Sequence, residues 1–377
     1  MKKSMIVFLI FVQFLVANSF SPEYYERQMK ILRSLDIEPS FIGDLNFIES
    51  RDNLKKLYSS VLRHSVNGFY EFIPMIKMII KEEDLPAEFL YLAMVESGLK
   101  AHSVSNAKAV GVWQFMQPTA QSLGLRVDPY VDERRDPFKS SIAAANYLKG
   151  LKNEFGKWYL AILAYNCGSG KLSKAIKEAG SDELHVLLDE EAKYIPLETR
   201  LFIKKILTLA FLASDKDFNL GGDASFVNHT LSSDFTRVEV PSSVALKDLA
   251  KMADLSLGDL KYYNPQFKHD FTPPDKDYYM YIPVSKSLAF EQNYNPSKLT
   301  KVDTRLPQTK IYIVKSGDSL YSIAKKHGIS IAQIRKYNKI KKDHLALKQK
   351  LILPIANKEY KYANSKQTKK STKVVSR

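Results

Sequence analysis

Residues 95–116 read VESGLKAHSVSNAKAVGVWQFM, and the reading of this stretch governs the rest of the chain. Just upstream, Asp84-Leu85-Pro86 is a helix-start signal, and Leu85, Phe89, Leu92, Ala93 and Val95 recur at near-helical spacing. The pattern predicts a mostly buried helix with Glu96 at its end. A carboxylate among apolar neighbours ionises less readily because its charged form loses hydration, and a raised pKa is what a general acid at neutral pH requires. Taken alone, Glu96 reads first as a water-exposed residue closing a helix. The residues that follow change that reading.

Several polar motifs recur in order at defined spacing. Glu96-Ser97 is followed by Ser105, by Ala109, Gly111 and Gln114, by Ala164-Tyr165-Asn166-Cys167-Gly168, and by Ile195-Pro196-Leu197-Glu198-Thr199-Arg200. Over roughly residues 70 to 210 this set resembles the lytic transglycosylase family with the goose-lysozyme-like SLT fold. Val131-Asp132-Glu133-Arg134-Arg135-Asp136-Pro137 and the helical stretch from Ser140 to Phe155 are similar to a membrane-bound branch of that family. Two positions depart from the pattern. Lys108 stands where many members carry glycine, and Phe202 stands where they carry a tyrosine whose hydroxyl helps to hold the glutamate.

The resemblance implies an enzyme that cleaves the β-1,4 bond between N-acetylmuramic acid and N-acetylglucosamine, forming 1,6-anhydro-N-acetylmuramic acid. Glu96 would act as general acid and then base. Ser97, Ser105, Gln114, Met116, Tyr165 and Asn166 would line the sugar cleft. Ordinary glycosidases use two carboxylates, and the matched motifs offer one. Asp128, Asp132, Glu133 and Asp136 lie nearby in sequence, but the Asp-Glu-Arg-Arg-Asp run reads as a salt-bridged loop. No cofactor is implied. No metal is expected, because His64 and His102 each lack a second ligand at helical spacing. Two alternatives stay open: a lysozyme-like muramidase on the same fold, and a non-catalytic peptidoglycan-binding scaffold.

A chain of 377 residues, 45% hydrophobic and 26% charged, has room for two or three folded domains. The expected class is α+β and multidomain: a mainly α-helical lysozyme-like catalytic domain followed by small βααβ LysM domains. Met1-Lys2-Lys3 and the apolar run Met5 to Val16 read as a signal peptide over 1–19, with an uncleaved anchor as the minor alternative. A helical region is expected over 20–70, the catalytic domain over 71–214, and an Asp- and Gly-containing linker over 215–235. From Tyr312 to Pro354 the order strand, helix, helix, strand closely resembles a LysM module, which binds N-acetylglucosamine-containing glycans. Residues 236–284 repeat the order more loosely, and Asn264-Pro265 there matches the region of Asn338. The remaining expectations are a linker over 285–310, the LysM domain over 311–355, and a basic disordered tail over 356–377.

The single cysteine, Cys167, excludes an internal disulfide and leaves no lipobox for a lipid anchor. A net charge of +15 would ordinarily raise nucleic acid as a partner. The export signal argues against it. The expected location is the periplasm or cell envelope, the expected partners are peptidoglycan glycan strands at cleft and LysM, and the basic residues favour an anionic envelope or membrane surface.

Overall fold

The computed structural model describes residues 22–44, 47, 48, 54, 72–214, 234–305, 309–340 and 344–354. The signal peptide, about half of the 20–70 region, nearly all of the 215–235 linker and the 356–377 tail lie outside the described residues. The chain divides into two compact units, one ending at Val302 and the other beginning at Asp303.

The first unit is built on helices whose ends are written in the sequence. Asp136 caps the helix Pro137–Phe155 by accepting from the backbone N–H of Phe138 (2.9 Å) and Lys139 (3.0 Å), and Gly156 closes it at a φ of 80°. Ala143, Ala144, Ala145, Leu148 and Leu151 form its buried side, where small residues allow close approach to the next helix, Trp158–Cys167. That helix is buried from Tyr159 to Ala164 and so runs through the middle of the core. The helix Leu197–Ser214 packs against it and against Phe89–Ser97, while Pro22–Ser34 and Ile73–Glu82 complete the packing. Leu32, Ile76, Leu92, Leu148, Ile162 and Leu207 are all fully buried in this one core.

The same unit contains the strands Phe235–Val240 and Tyr278–Pro283, paired antiparallel from Phe235 opposite Pro283 to Val240 opposite Tyr278. Between them lie the helices Leu246–Met252 and Leu257–Tyr263. Residues 285–310 are not simply a linker. They hold the helix Ser287–Asn293, whose Phe290 is buried with Val240, Leu249, Leu260 and Ile282. A seven-residue helix with a single buried aromatic has too little periodicity to stand out in sequence.

The second unit pairs Thr309–Ile313 with Lys350–Pro354 and packs the helices Leu320–His327 and Ile331–Asn338 against them. Ser319 and Ser330 each form a capping box, and Val314, Ile323, Ile334, Leu351 and Leu353 make the core.

The internal repeat is visible in a shared clamp. Asn338 donates to the carbonyls of Ile334 (2.8 Å) and Ile352 (2.8 Å) and accepts from the Ile352 N–H (2.7 Å). Asn264 does the same with Leu260 (2.9 Å) and Tyr281 (2.7 and 2.7 Å). In each module one asparagine ties the second helix to the last strand, which accounts for the sequence match between them.

Candidate active site

Glu96 stands on the last turn of the helix Phe89–Ser97, which ends because Gly98 enters the left-handed region at a φ of 62°. Phe89, Leu90, Leu92, Ala93 and Met94 of that helix are buried, so its final carboxylate is held partly inside the protein. Burial is the larger cause, and the nearby Glu198 charge the smaller, of a carboxyl pushed up to about 7. Glu198 is exposed at the start of the helix Leu197–Ser214. The sequence motif contained Glu198, but its spacing gave no sign that its charge would act on Glu96. A long-range approach of two helix ends brings that about.

Most of the other candidate residues are held in place by hydrogen bonds to the chain around them. Ser97 Oγ donates to the Val112 carbonyl (2.7 Å), tying the helix end to the loop beyond it. Tyr165 Oη donates to the Trp113 carbonyl (2.6 Å). Its own ionisation is suppressed by burial first and by the Glu96 charge second, so the phenol stays a donor beside the glutamate. Ser105 is exposed, and its Oγ accepts from the Ala109 N–H (3.0 Å). Gln114 adopts a φ of 50° and donates from Nε2 to the Gly111 carbonyl (2.7 Å). Met116 projects into solvent, 43% exposed, just before the helix Gln117–Ser122. Trp113 is buried and donates from Nε1 to Ser141 Oγ (2.8 Å), so it belongs to the core.

Asn166 accepts at Oδ1 from Thr199 Oγ1 (2.7 Å). Thr199 belongs to the 195–200 motif, but nothing in the motif shows its bond to Asn166; it lies one turn before Phe202. Phe202 itself is buried, and Tyr194 is half-buried. The helices Trp158–Cys167 and Leu197–Ser214 are thus joined at their site ends by a threonine hydroxyl.

The 103–116 loop is held from behind by the acidic-basic run. Arg134 forms a bidentate pair with Asp132 (2.9 and 2.9 Å) and donates from Nη1 to the carbonyls of Phe115 (3.1 Å) and Lys108 (3.3 Å). Gly111 has a φ of 89°, and a Cβ there would lie 1.8 Å from the Arg134 carbonyl oxygen. Only glycine lets the two loops meet. The expected salt-bridged loop is present, and it is buried.

Residues 74–187 match the transglycosylase SLT domain, 234–299 the LysM-like domain of lytic transglycosylase MltD, and 312–354 the LysM domain. These matches fit a helical SLT-type domain followed by small LysM-type modules. The chain resembles in particular membrane-bound lytic murein transglycosylase D of Escherichia coli, with 28% identity over 76% of this chain and 64% of that protein. It thus spans 64% of the length of that relative. Peptidoglycan transglycosylase gp16 of Escherichia phage T7 is 38% identical over 27% of this chain and 8% of its own. Among solved structures, the 70 kDa soluble lytic transglycosylase of Escherichia coli aligns at 22% identity and a TM-score of 0.30, over 41% of this chain and 25% of its own.

Proposed function

We propose that this protein is a peptidoglycan lytic transglycosylase with Glu96 as general acid and then base. The observation that carries the reading is the carboxyl of Glu96, raised to about 7 at a helix end beside the Tyr165 phenol. A group with this pKa is populated both as acid and as carboxylate near neutrality, which a two-step proton transfer needs. The matched SLT domain and the names of the relatives supply the substrate class. Protonated Glu96 gives its proton to the glycosidic oxygen as the C1–O bond of N-acetylmuramic acid breaks. The substrate's acetamido group supports the cationic centre. The Glu96 carboxylate then takes the proton of the muramoyl 6-hydroxyl while that oxygen bonds to C1. No water is consumed, and the intramolecular attack has an entropic advantage of several kcal/mol, on the order of 7 or more in well-oriented cases.

In this reading Ser97, Ser105, Gln114, Met116, Tyr165 and Asn166 border the cleft, most of them by shaping its loops. The domain boundaries are those expected from sequence, with the first LysM-like module extended to about Val302. The protein works outside the cytoplasm, in the periplasm or envelope, with glycan strands as its partner and with its basic charge drawing it toward anionic surfaces.

Digestion of purified peptidoglycan in ¹⁸O-labelled water tests the chemistry. Anhydro ends without label are expected. Glu198, whose charge reaches Glu96, is a candidate among the described residues for activating water instead. Early label at muramoyl C1 would make the enzyme a hydrolase.

A further inference from the structure

The first LysM-like module and the catalytic helices share a buried polar junction that no catalytic step uses. Glu133 and Asp136 are 1% and 0% exposed. Glu133 Oε1 accepts from Lys139 Nζ (2.8 Å), Tyr278 Oη (2.7 Å) and Tyr279 Oη (3.2 Å), and its Oε2 from the Arg126 N–H (2.8 Å). Asp136 Oδ2 accepts from Tyr279 Oη (2.5 Å). Both tyrosines belong to the module's last strand. Beside them Phe138 stacks on Tyr281 at 4.2 Å with the rings 11° from parallel. Burying two carboxylates is costly unless donors surround them, and here the module provides the phenols.

The backbones are also joined. Val131 bridges Phe267, Asp132 N–H donates to the Gln266 carbonyl (2.9 Å), and Lys268 N–H donates to the Tyr130 carbonyl (3.0 Å). The module's own loops are closed on themselves and on the chain that follows: Ala245 bridges Phe271, Ala245 N–H donates to Thr300 (3.1 Å), and Val302 N–H donates to Ser243 (2.8 Å). At the equivalent end of the C-terminal module no such closure is seen among the described residues, where Ser316 and Gly317 are exposed and Leu347 is 63% exposed.

We infer that residues 234–302 serve as a fixed brace for the cleft, fastening the 126–136 loop so that Arg134 holds the 108–116 loop in place, and do not serve as a second glycan-binding module. The inference rests on the catalytic reading above for its effect on rate, although the mechanical link does not. The force path runs from Tyr278, Tyr279 and Gln266 to Asp132 and Glu133, from Asp132 to Arg134, and from Arg134 to the carbonyls of Lys108 and Phe115. Ser97 and Tyr165 connect that loop to the Glu96 helix through Val112 and Trp113. Arg134 is accordingly a positioning residue. It touches neither the carboxylate of Glu96 nor a place assigned to substrate.

The test uses the full chain and two variants. Tyr278→Phe/Tyr279→Phe cuts the junction, and Arg134→Lys cuts the middle link while keeping a charge beside Asp132. Hydrogen exchange is followed peptide by peptide, and kcat and KM are measured on purified glycan strands below the melting temperature. Both variants should speed exchange over 108–116 by about fivefold or more, and only the tyrosine variant should do so over 278–282. The expected kinetic signature is kcat reduced about tenfold with KM little changed, as for a misplaced site. Leu32→Ala, which opens a cavity in the core from the helix Pro22–Ser34, far in sequence from the junction, is the control for general destabilisation. Unchanged exchange over 108–116 in both variants, or a rise no larger there than in the control, overturns the brace. Coupled exchange in a protein that releases no product from peptidoglycan upholds the brace and overturns the catalytic reading instead.

Discussion

Desolvation governs the charge of Glu96, and three behaviours follow from that. Glu96→Gln keeps the shape of the side chain and removes the transferable proton, so turnover should fall by about 10⁴-fold or more, the upper end for a group used in both steps. Activity above about a tenth of wild type in a glycan-release assay would place the acid elsewhere. The second behaviour concerns stability. The folded chain holds its proton up to about 7, against an ordinary value of 4.5, so between these values it binds more protons than the unfolded chain. The stabilisation is complete below the lower value and is lost as pH rises through the upper one. Thermal melts should therefore show Glu96→Gln more stable than wild type at pH 8, by about 1–3 kcal/mol, with the difference gone at about pH 4.5. Equal stability at both would mean the carboxylate is well hydrated. Third, the Glu198 charge adds to the upward shift. Glu198→Gln should move the alkaline limb of the pH–rate profile to lower pH, and an unmoved limb would leave burial as the whole cause.

At the scale of elements, the close meeting of two loops makes Gly111 and Gly170 an instructive contrast. Gly111→Ala meets the Arg134 carbonyl and also requires a φ of 89°, so it should cost about 2–3 kcal/mol in denaturant unfolding. Gly170 lies in the helix Ser169–Ala179 with open space at its Cβ, so Gly170→Ala should be neutral or stabilising by up to about 1 kcal/mol. Similar costs at both positions would contradict the loop contact. This contrast also marks what a sequence can and cannot disclose. The helix leading to Glu96 is legible because its apolar spacing and its depth in the core have one cause. The helix Pro137–Phe155 is legible because its cap is local. The repeated strand–helix–helix–strand order is legible in the same way. Arg134 is different, since its partners at Lys108 and Phe115 are carbonyls, and a carbonyl leaves no mark on residue identity. Thr199 is hidden for a related reason. Its bond to Asn166 crosses 33 positions, and a threonine in a helix has many more ordinary uses. The helix Ser287–Asn293 is not legible because its place is set by contacts with the helix Leu246–Met252, about forty positions earlier, where Asn293 donates to the Met252 carbonyl and Phe290 joins the core of Leu249.

At the scale of the whole molecule, the two places where the chain could be shortened should behave differently. The compact unit ending at Val302 contains both the catalytic helices and the first module. A chain stopped there loses the C-terminal LysM domain and nothing that packs within the first unit. It should melt as the full chain's first unit does and keep its rate on soluble glycan strands. Retention on insoluble peptidoglycan should fall about tenfold or more, because a tethered second site raises local concentration without adding catalytic groups. A chain stopped near Gly221 loses much more. Val131, Glu133 and Asp136 are at most 1% exposed in the intact unit and owe part of that cover to Phe267, Tyr278 and Tyr279. Asp136 shows what uncovering would release. Burial, opposed by the Tyr279 hydrogen bond, pushes its carboxyl up to about 6, and contact with water would let it ionise freely. The domain boundary drawn from composition at 215–235 would make the two truncations alike in folding and rate. The buried junction makes them unlike. The shorter chain should unfold at lower temperature and show a reduced kcat on the same soluble strands, whereas the chain ending at Val302 should not. Equal melting temperatures and equal kcat for both would return the first module to the status of an independent appendage. Undiminished retention on walls after loss of residues 303–377 would remove the C-terminal domain from glycan binding.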